Sequence, residues 1–409
     1  MLVIIDGLTP SMLEATETPA LRFLLEQGSY RRAVSTFPSL TPVCLASIAT
    51  GAPPDVHGIP HLVWWNRDEQ RFVEYGSSFA ALRAAGLARG IRDTIVNLNE
   101  RHLSKQAETI YEALEDDGLT TAAINITTYR GRTRHLPTVP GAPAVSGPKR
   151  FFFYSLYESD VTGAPIAVLN RSLGSIDAYA AAVGRWLVTR DGFDLLVFYL
   201  PDYDFASHAL GPDAAHEALA RADASIATLF AAAGGPDEFL ARYSVVVCSD
   251  HGQTHVEQAA RLGVPGGRVA ASNRAAMVYG DDPRALAAAL DDEPSVGVAA
   301  FLEGDRLVAR RGGDEDRALL DEYPDGAERA EAALRNPNAG EVLVSAADGW
   351  EFVDLAGRHH AGGGSHGSLA ASDSEVPMLT VGLGPPPASI TGIKHLLLEH
   401  FGVGVSRAA

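Results

Sequence analysis

Asp6, Asp204, His208, Asp250, His251 and His366 are scattered across a chain of 409 residues, and each is a side chain able to hold a divalent metal. Their local settings share a pattern. Asp6 closes the apolar run LVIID, Asp250 closes SVVVCSD, and Asp204 follows LLVFYLP by three residues. Continuous apolar runs of this kind read as buried parallel strands. In open α/β sheets, ligands gather just beyond the carboxyl ends of such strands. Three carboxylates and three imidazoles brought to that edge would form a pocket for two divalent metals.

The spacings support the grouping. In DFASH, Asp204 and His208 stand i, i+4, so one helical turn sets both on one face. Asp202 competes with Asp204 in PDYD, as a neighbour rather than a ligand. Asp250 and His251 fall in SDHG, where Gly252 permits a tight turn, and His366 lies in the glycine-rich loop AGGGSHGS. Each residue alone has a plainer reading, as a helix cap or a solvated surface group. Thr41 precedes Pro42, and Thr caps helices while Pro favours their first position. The expectation is a helix over Pro42–Thr50, ended by Gly51, with the Thr41 hydroxyl at its N-terminus. Free N–H groups and the helix dipole there favour an alkoxide or a phosphoryl oxygen.

Alternating elements must carry these residues. Strand signals at Leu2–Ile5, Ser29–Val34, Thr120–Ile126, Leu195–Leu200 and Ser244–Cys248 alternate with helical patterns. The helical stretches are Thr18–Glu26, Lys105–Asp117, Ser175–Arg190 and Ala214–Ala233. The fold class expected is α/β, a doubly wound, mostly parallel sheet with helices on both faces. After Gly263 the rhythm changes. Residues 263–336 read as a small inserted α/β cap, and residues 1–262 and 337–409 as the catalytic core. Gly340–Ser345 is expected to return the chain to the main sheet, and Met378–Gly382 to supply its last strand.

A formal net charge of -18 opposes loading onto a nucleic-acid backbone, so no nucleic-acid polymer is expected as a partner. A small or lipid-like phosphoryl substrate remains compatible, because bound metals reverse the local sign. Cys44 and Cys248 sit in apolar patterns and read as buried free thiols. The chain opens directly into a strand without a recognisable leader, and no stretch is long enough to span a bilayer. A cytoplasmic location is the default expectation, with an upstream start the alternative.

The ordered set IIDGL, T-x9-G ending in SIATG, HGI, DFASHALGP, SDHG and GSHGS resembles the alkaline phosphatase superfamily, in its type I phosphodiesterase/nucleotide pyrophosphatase branch. The resemblance covers most of the chain outside the cap. It implies an alkaline phosphatase-like core and two divalent ions, zinc first and manganese the alternative. It would assign Asp204, His208 and His366 to one ion, and Asp6, Asp250, His251 and the Thr41 oxygen to the other. It further implies in-line attack by Thr41 on phosphorus, a phospho-threonine intermediate, and hydrolysis of that intermediate by water.

One departure concerns the phosphate contact. Relatives often carry an Asn three residues after the nucleophile, and here that position is Cys44, a poor donor. Other candidates for substrate contact are Arg130 and Arg132 in YRGRTRH, and Trp65 in HLVWWN. A solvated loop and hairpin packing are their plainer readings, and His57 reads as structural. Ile48 stands where a sulfatase signature needs Arg, which argues against that activity. Three functions stay open: hydrolysis of a phosphodiester, hydrolysis of a phosphomonoester or phosphonate at the same site, and metal binding without turnover.

Overall fold

The computed structural model describes residues 1–166 and 175–404. An eight-stranded sheet runs in the order Ser29–Val34, Glu375–Val381, Val245–Cys248, Leu2–Ile5, Leu195–Leu200, Thr121–Ile124, Arg150–Phe153 and Tyr157–Ser159. The five strands from Val245–Cys248 to Arg150–Phe153 are mutually parallel, and antiparallel pairings close both edges. Alternation along Leu2–Ile5 explains why every residue is apolar. Val3 and Ile5 pack with helices Pro19–Gln27, Ile176–Val188 and His216–Ala233. Leu2 and Ile4 face the opposite side, with helices Thr41–Thr50, Ile110–Asp116 and Gly392–Phe401. The doubly wound α/β reading therefore holds.

A second, antiparallel sheet of six strands runs Arg268–Ser272, Ala275–Tyr279, Val342–Ala346, Val296–Glu303, Arg306–Arg311 and Asp314–Glu315. Helix Gly326–Leu334 covers one face and Pro283–Ala288 the other. Val342–Ala346 does not return to the main sheet as expected; it sits inside the second sheet, which thus runs past residue 336. Its five buried, apolar-rich residues suit an interior strand of either sheet, so composition could not choose between them. The helix expected from Lys105 begins only at Ile110, because Thr109 and Glu112 form a capping box there.

Candidate active site

Register at the sheet centre sets the site. Ile5 lies opposite Leu200, and Ile4 opposite Cys248. The next residues of three adjacent strands therefore emerge together at one carboxyl edge, bringing Asp6, the helix Asp202–Leu210 and the Asp250–His251 loop into one place. Gly7 turns the chain with φ +69°, and a Cβ there would sit 2.8 Å from Asp204 Oδ1. His366 arrives from far along the sequence. It follows the short strand Gly364–Ser365, which pairs with Thr254–His255.

Two clusters result. One ligand atom each from Asp204, His208 and His366 lie within 4.8 Å of one another, as do those from Asp6, Asp250 and His251. Each imidazole is oriented from behind. Nδ1 of His208 donates to the Gly364 carbonyl at 2.7 Å, that of His366 to Ser39 at 2.8 Å, and that of His251 to Gly252 at 2.9 Å. A carbonyl only accepts, so each Nδ1 carries the proton and each Nε2 presents a lone pair inward. This is how metal-binding imidazoles are usually held.

The carboxylates complete the pattern. His251 Nε2 is 3.2 Å from Asp6 Oδ1 and 3.5 Å from Asp250 Oδ2. Both of those oxygens are buried without a hydrogen-bond partner. The other oxygens are held: Tyr199 donates to Asp6 Oδ2, and the Gly7 and His251 amides donate to Asp250 Oδ1. Lone pairs converging without a donor fit a cation. Electrostatics agree. Burial, then Asp6, push the Asp250 carboxyl well above its ordinary range, while against burial Asp250 and Asp6 push His251 well above its own, so this cluster lacks a positive charge that a bound cation would supply. At the other cluster His208 Nε2 is 3.3 Å from Asp204 Oδ2, and burial followed by His251 holds His366 well below its usual value.

Thr41 lies against the Asp6–Asp250–His251 cluster and lines one cavity with members of the other. It is the first residue of helix Thr41–Thr50, with Pro42 next, and Leu40 occupies the cap position. Its hydroxyl therefore does not cap the helix as expected; Oγ1 lies 3.1 Å from His251 Nε2. The reason is local: Leu40 has extended backbone, φ -119°, so the helix starts one residue earlier. Thr41, Asp6, Asp204, His208 and His366 line one cavity of about 510 Å³, with Asp250 and His251 fully buried behind it. Leu62, Ile95, Leu98, Phe153, Leu156 and Phe205 make much of its remaining wall.

The substrate-contact candidates lie elsewhere. Cys44 is buried with its thiol toward Ser35 and Thr36, and burial raises it to about 11. Arg130 is buried and its donors are committed to Glu112 and to the carbonyls of Leu103, Ser104 and Ala107. Arg132 pairs with Glu112 and Asp116. Trp65 sits in the hairpin Val63–Asn66/Arg71–Glu74 under the Arg268 guanidinium, 3.6 Å from its ring centre. None of the four lines the cavity. Asp202 accepts from Ser175 and the amides of Ile176 and Asp177, tying down the start of a helix. His57 bonds Ser47, as a structural residue would.

Several cavity residues were not foreseen. Tyr199 lies one residue before the end of a strand run read only as apolar, and Asn273 and His360 come from distant loops. His360 stacks on His208 with ring centres 4.1 Å apart, its Nδ1 3.1 Å from the buried Glu351 carboxylate. The adjacent pair His359–His360, close before His366, was the available signal.

The family model for type I phosphodiesterase/nucleotide pyrophosphatase matches residues 1–369. The chain belongs to this family. Its members are hydrolytic enzymes acting on phosphoric esters and typically depend on divalent metals. None of the curated proteins matches the chain by sequence. Among solved structures, human ectonucleotide pyrophosphatase/phosphodiesterase 5 is similar at 15% identity and TM-score 0.66, covering 98% of this chain and 94% of that one. Phosphonoacetate hydrolase from Sinorhizobium meliloti 1021, in complex with phosphonoacetate, is similar at 19% identity and TM-score 0.64, covering 96% and 93%. These likenesses establish an alkaline phosphatase-type fold. Among the described residues no helix is long and apolar enough to cross a membrane.

Proposed function

We propose that the chain hydrolyses a small, singly charged phosphodiester, with Thr41 as nucleophile. The observation that carries this is the Thr41 hydroxyl at a helix start, 3.1 Å from His251 Nε2 and lining one cavity with members of both ligand clusters. Asp204, His208 and His366 would hold one divalent ion, and Asp6, Asp250 and His251 the other, zinc being the ion that an N/O donor set of this kind suits. When bound, such ions neutralise phosphoryl charge and favour the ionised form of a nearby hydroxyl. Thr41 Oγ then forms a bond to phosphorus while the opposite P–O bond breaks and an alcohol leaves. Pro42 has no N–H and the Val43 and Cys44 amides donate to the Leu40 carbonyl, so the amide of Thr41 itself is the helix-start donor left for a phosphoryl oxygen. Water cleaves the resulting phospho-threonine in a second in-line step, restoring the hydroxyl. In support, a murine relative of the same fold was crystallised with AMP as an inactive threonine-to-alanine variant.

Charge favours a diester over a phosphomonoester or phosphonate. Three carboxylates against two divalent ions leave one positive charge before Thr41 ionises, so the site suits a phosphodiester monoanion better than a dianion. No Lys or Arg lines the cavity among the described residues to meet a second anionic group. Rates on a bis-aryl phosphodiester, an aryl phosphomonoester, a nucleotide aryl ester and phosphonoacetate test this directly, with Thr41→Ala alongside. The diester is expected to be turned over fastest and Thr41→Ala to be inactive with its metals retained. Faster turnover of phosphonoacetate would move the assignment to a phosphonate, and no turnover at all would favour a binding protein.

A further inference from the structure

We infer that Asn273 supplies the side-chain amide that donates to a non-bridging phosphoryl oxygen, a role for which Cys44 is wrongly placed. The inference rests on the phosphoryl-transfer reading above. Asn273 belongs to the second sheet, at the tight turn between Arg268–Ser272 and Ala275–Tyr279. That turn reaches across to the main-sheet site, and Asn273 is 5% exposed and lines the cavity with Thr41. Among the cavity-lining residues that are described, it carries the one carboxamide.

Its orientation is fixed on three sides. The backbone is left-handed, φ +56°, a conformation Asn tolerates better than most residues. The Asn273 carbonyl accepts from the Phe352 amide, and the neighbouring Arg274 amide donates to the His366 carbonyl at 2.8 Å. Ser272 Oγ donates to Oδ1 at 2.7 Å, which leaves Nδ2 turned to the cavity. There Nδ2 lies 3.3 Å from His366 Nε2.

That contact pairs a donor with a lone pair the site reserves for a cation. With an ion on that lone pair, the Nδ2 N–H would face the cavity without a protein acceptor among the described residues. An anionic oxygen is the partner such a donor suits, and a charge-assisted bond is stronger than a neutral one. Several other polar groups on the wall are already committed: Tyr75 bonds His102, Tyr199 donates to Asp6, and Ser77 donates to Glu74. A neutral donor also keeps the charge balance that favours a monoanion.

A left-handed turn alone would explain an Asn without any contact to substrate, so the test preserves the turn. Asn273→Gly keeps the backbone conformation and removes the amide; Asn273→Asp tolerates the turn and puts a carboxylate in its place. Both are compared with the wild type after loading with zinc, by metal content, by calorimetric binding of inorganic phosphate, and by kcat/KM on the bis-aryl phosphodiester. Asn273→Gly is expected to keep full metal content, bind phosphate about 10-fold more weakly and lose about 100-fold in kcat/KM. Asn273→Asp should be worse than Gly, through repulsion of the phosphoryl group. Wild-type phosphate affinity and rate in the Gly variant would overturn the inference. So would a metal content that falls with Gly and recovers with Asp, since Asn273 would then be a metal ligand. A wild type that turns over no ester would instead sink the functional reading itself.

Discussion

The Thr41 hydroxyl and His251 Nε2 lie 3.1 Å apart, although their residues are separated by most of the main sheet's connectivity. The contact exists because the Asp250–His251 loop leaves a strand next to Leu2–Ile5, while helix Thr41–Thr50 packs on the sheet face carrying Ile4 and Cys248. A potential nucleophile and a potential ligand thus share one sheet edge.

The two clusters should load independently. Asp204→Asn is expected to lower metal content from two ions per chain to about one, and Asp204→Asn with Asp250→Asn to near zero, by elemental analysis after dialysis. Chelation should also lower the thermal midpoint of the wild type, because a ligand held at about 100 times its Kd stabilises the folded state by about 2.7 kcal/mol. An unchanged midpoint after full stripping would count against cation sites here.

Gly364 holds His208 in aim. Its carbonyl accepts the His208 Nδ1 proton, and a Cβ on it would fall 2.5 Å from Gln253 Oε1 and 2.6 Å from the Ser207 carbonyl. Gly364→Ala must therefore shift the strand or the helix that it orients. Metal affinity at the Asp204–His208–His366 cluster is expected to weaken about 10–100-fold. A zinc titration showing unaltered affinity would mean that this backing contact is dispensable.

Glu74 gives a pH signature that is separate from the ligands. It is buried beside the Gly76–Ser77 turn of the cavity wall and accepts from both amides, at 2.7 and 2.6 Å. Burial pushes its carboxyl up from 4.5 to about 7, against those donors. A folded value above the unfolded one means that folding favours the protonated acid. Its stabilisation is complete below about pH 4.5 and is lost as pH rises through about 7. Relative to Glu74→Gln, the wild type should lose about 3 kcal/mol across that window in chemical unfolding. Parallel pH profiles for the two proteins would refute the shift.

The sheet edge was legible because strand residues buried on both faces must be continuously apolar, and Asp6 and Asp250 stand where such runs stop. Asp204 was separable from Asp202 by its i, i+4 relation to His208, which the helix Asp202–Leu210 reproduces. Arg130 was misread because its neutralising partner, Glu112, lies on a different element, the helix Ile110–Asp116. A cluster of like charges in sequence gives no sign of distant counter-charges. Asn273 was invisible for a similar reason: only the packing of the second sheet against the first brings its turn into the cavity. The strand Val342–Ala346 could be recognised as a strand, but sheet membership depends on partners that no local pattern specifies.

The central claim is that Thr41, rather than water, makes the first bond to phosphorus. The stereochemical course at phosphorus tests it most directly, using a chiral phosphorothioate diester hydrolysed in isotopically labelled water. Two successive in-line displacements, the first by Thr41, predict retention of configuration. Inversion would mean a single direct attack by water and would contradict a covalent role for Thr41.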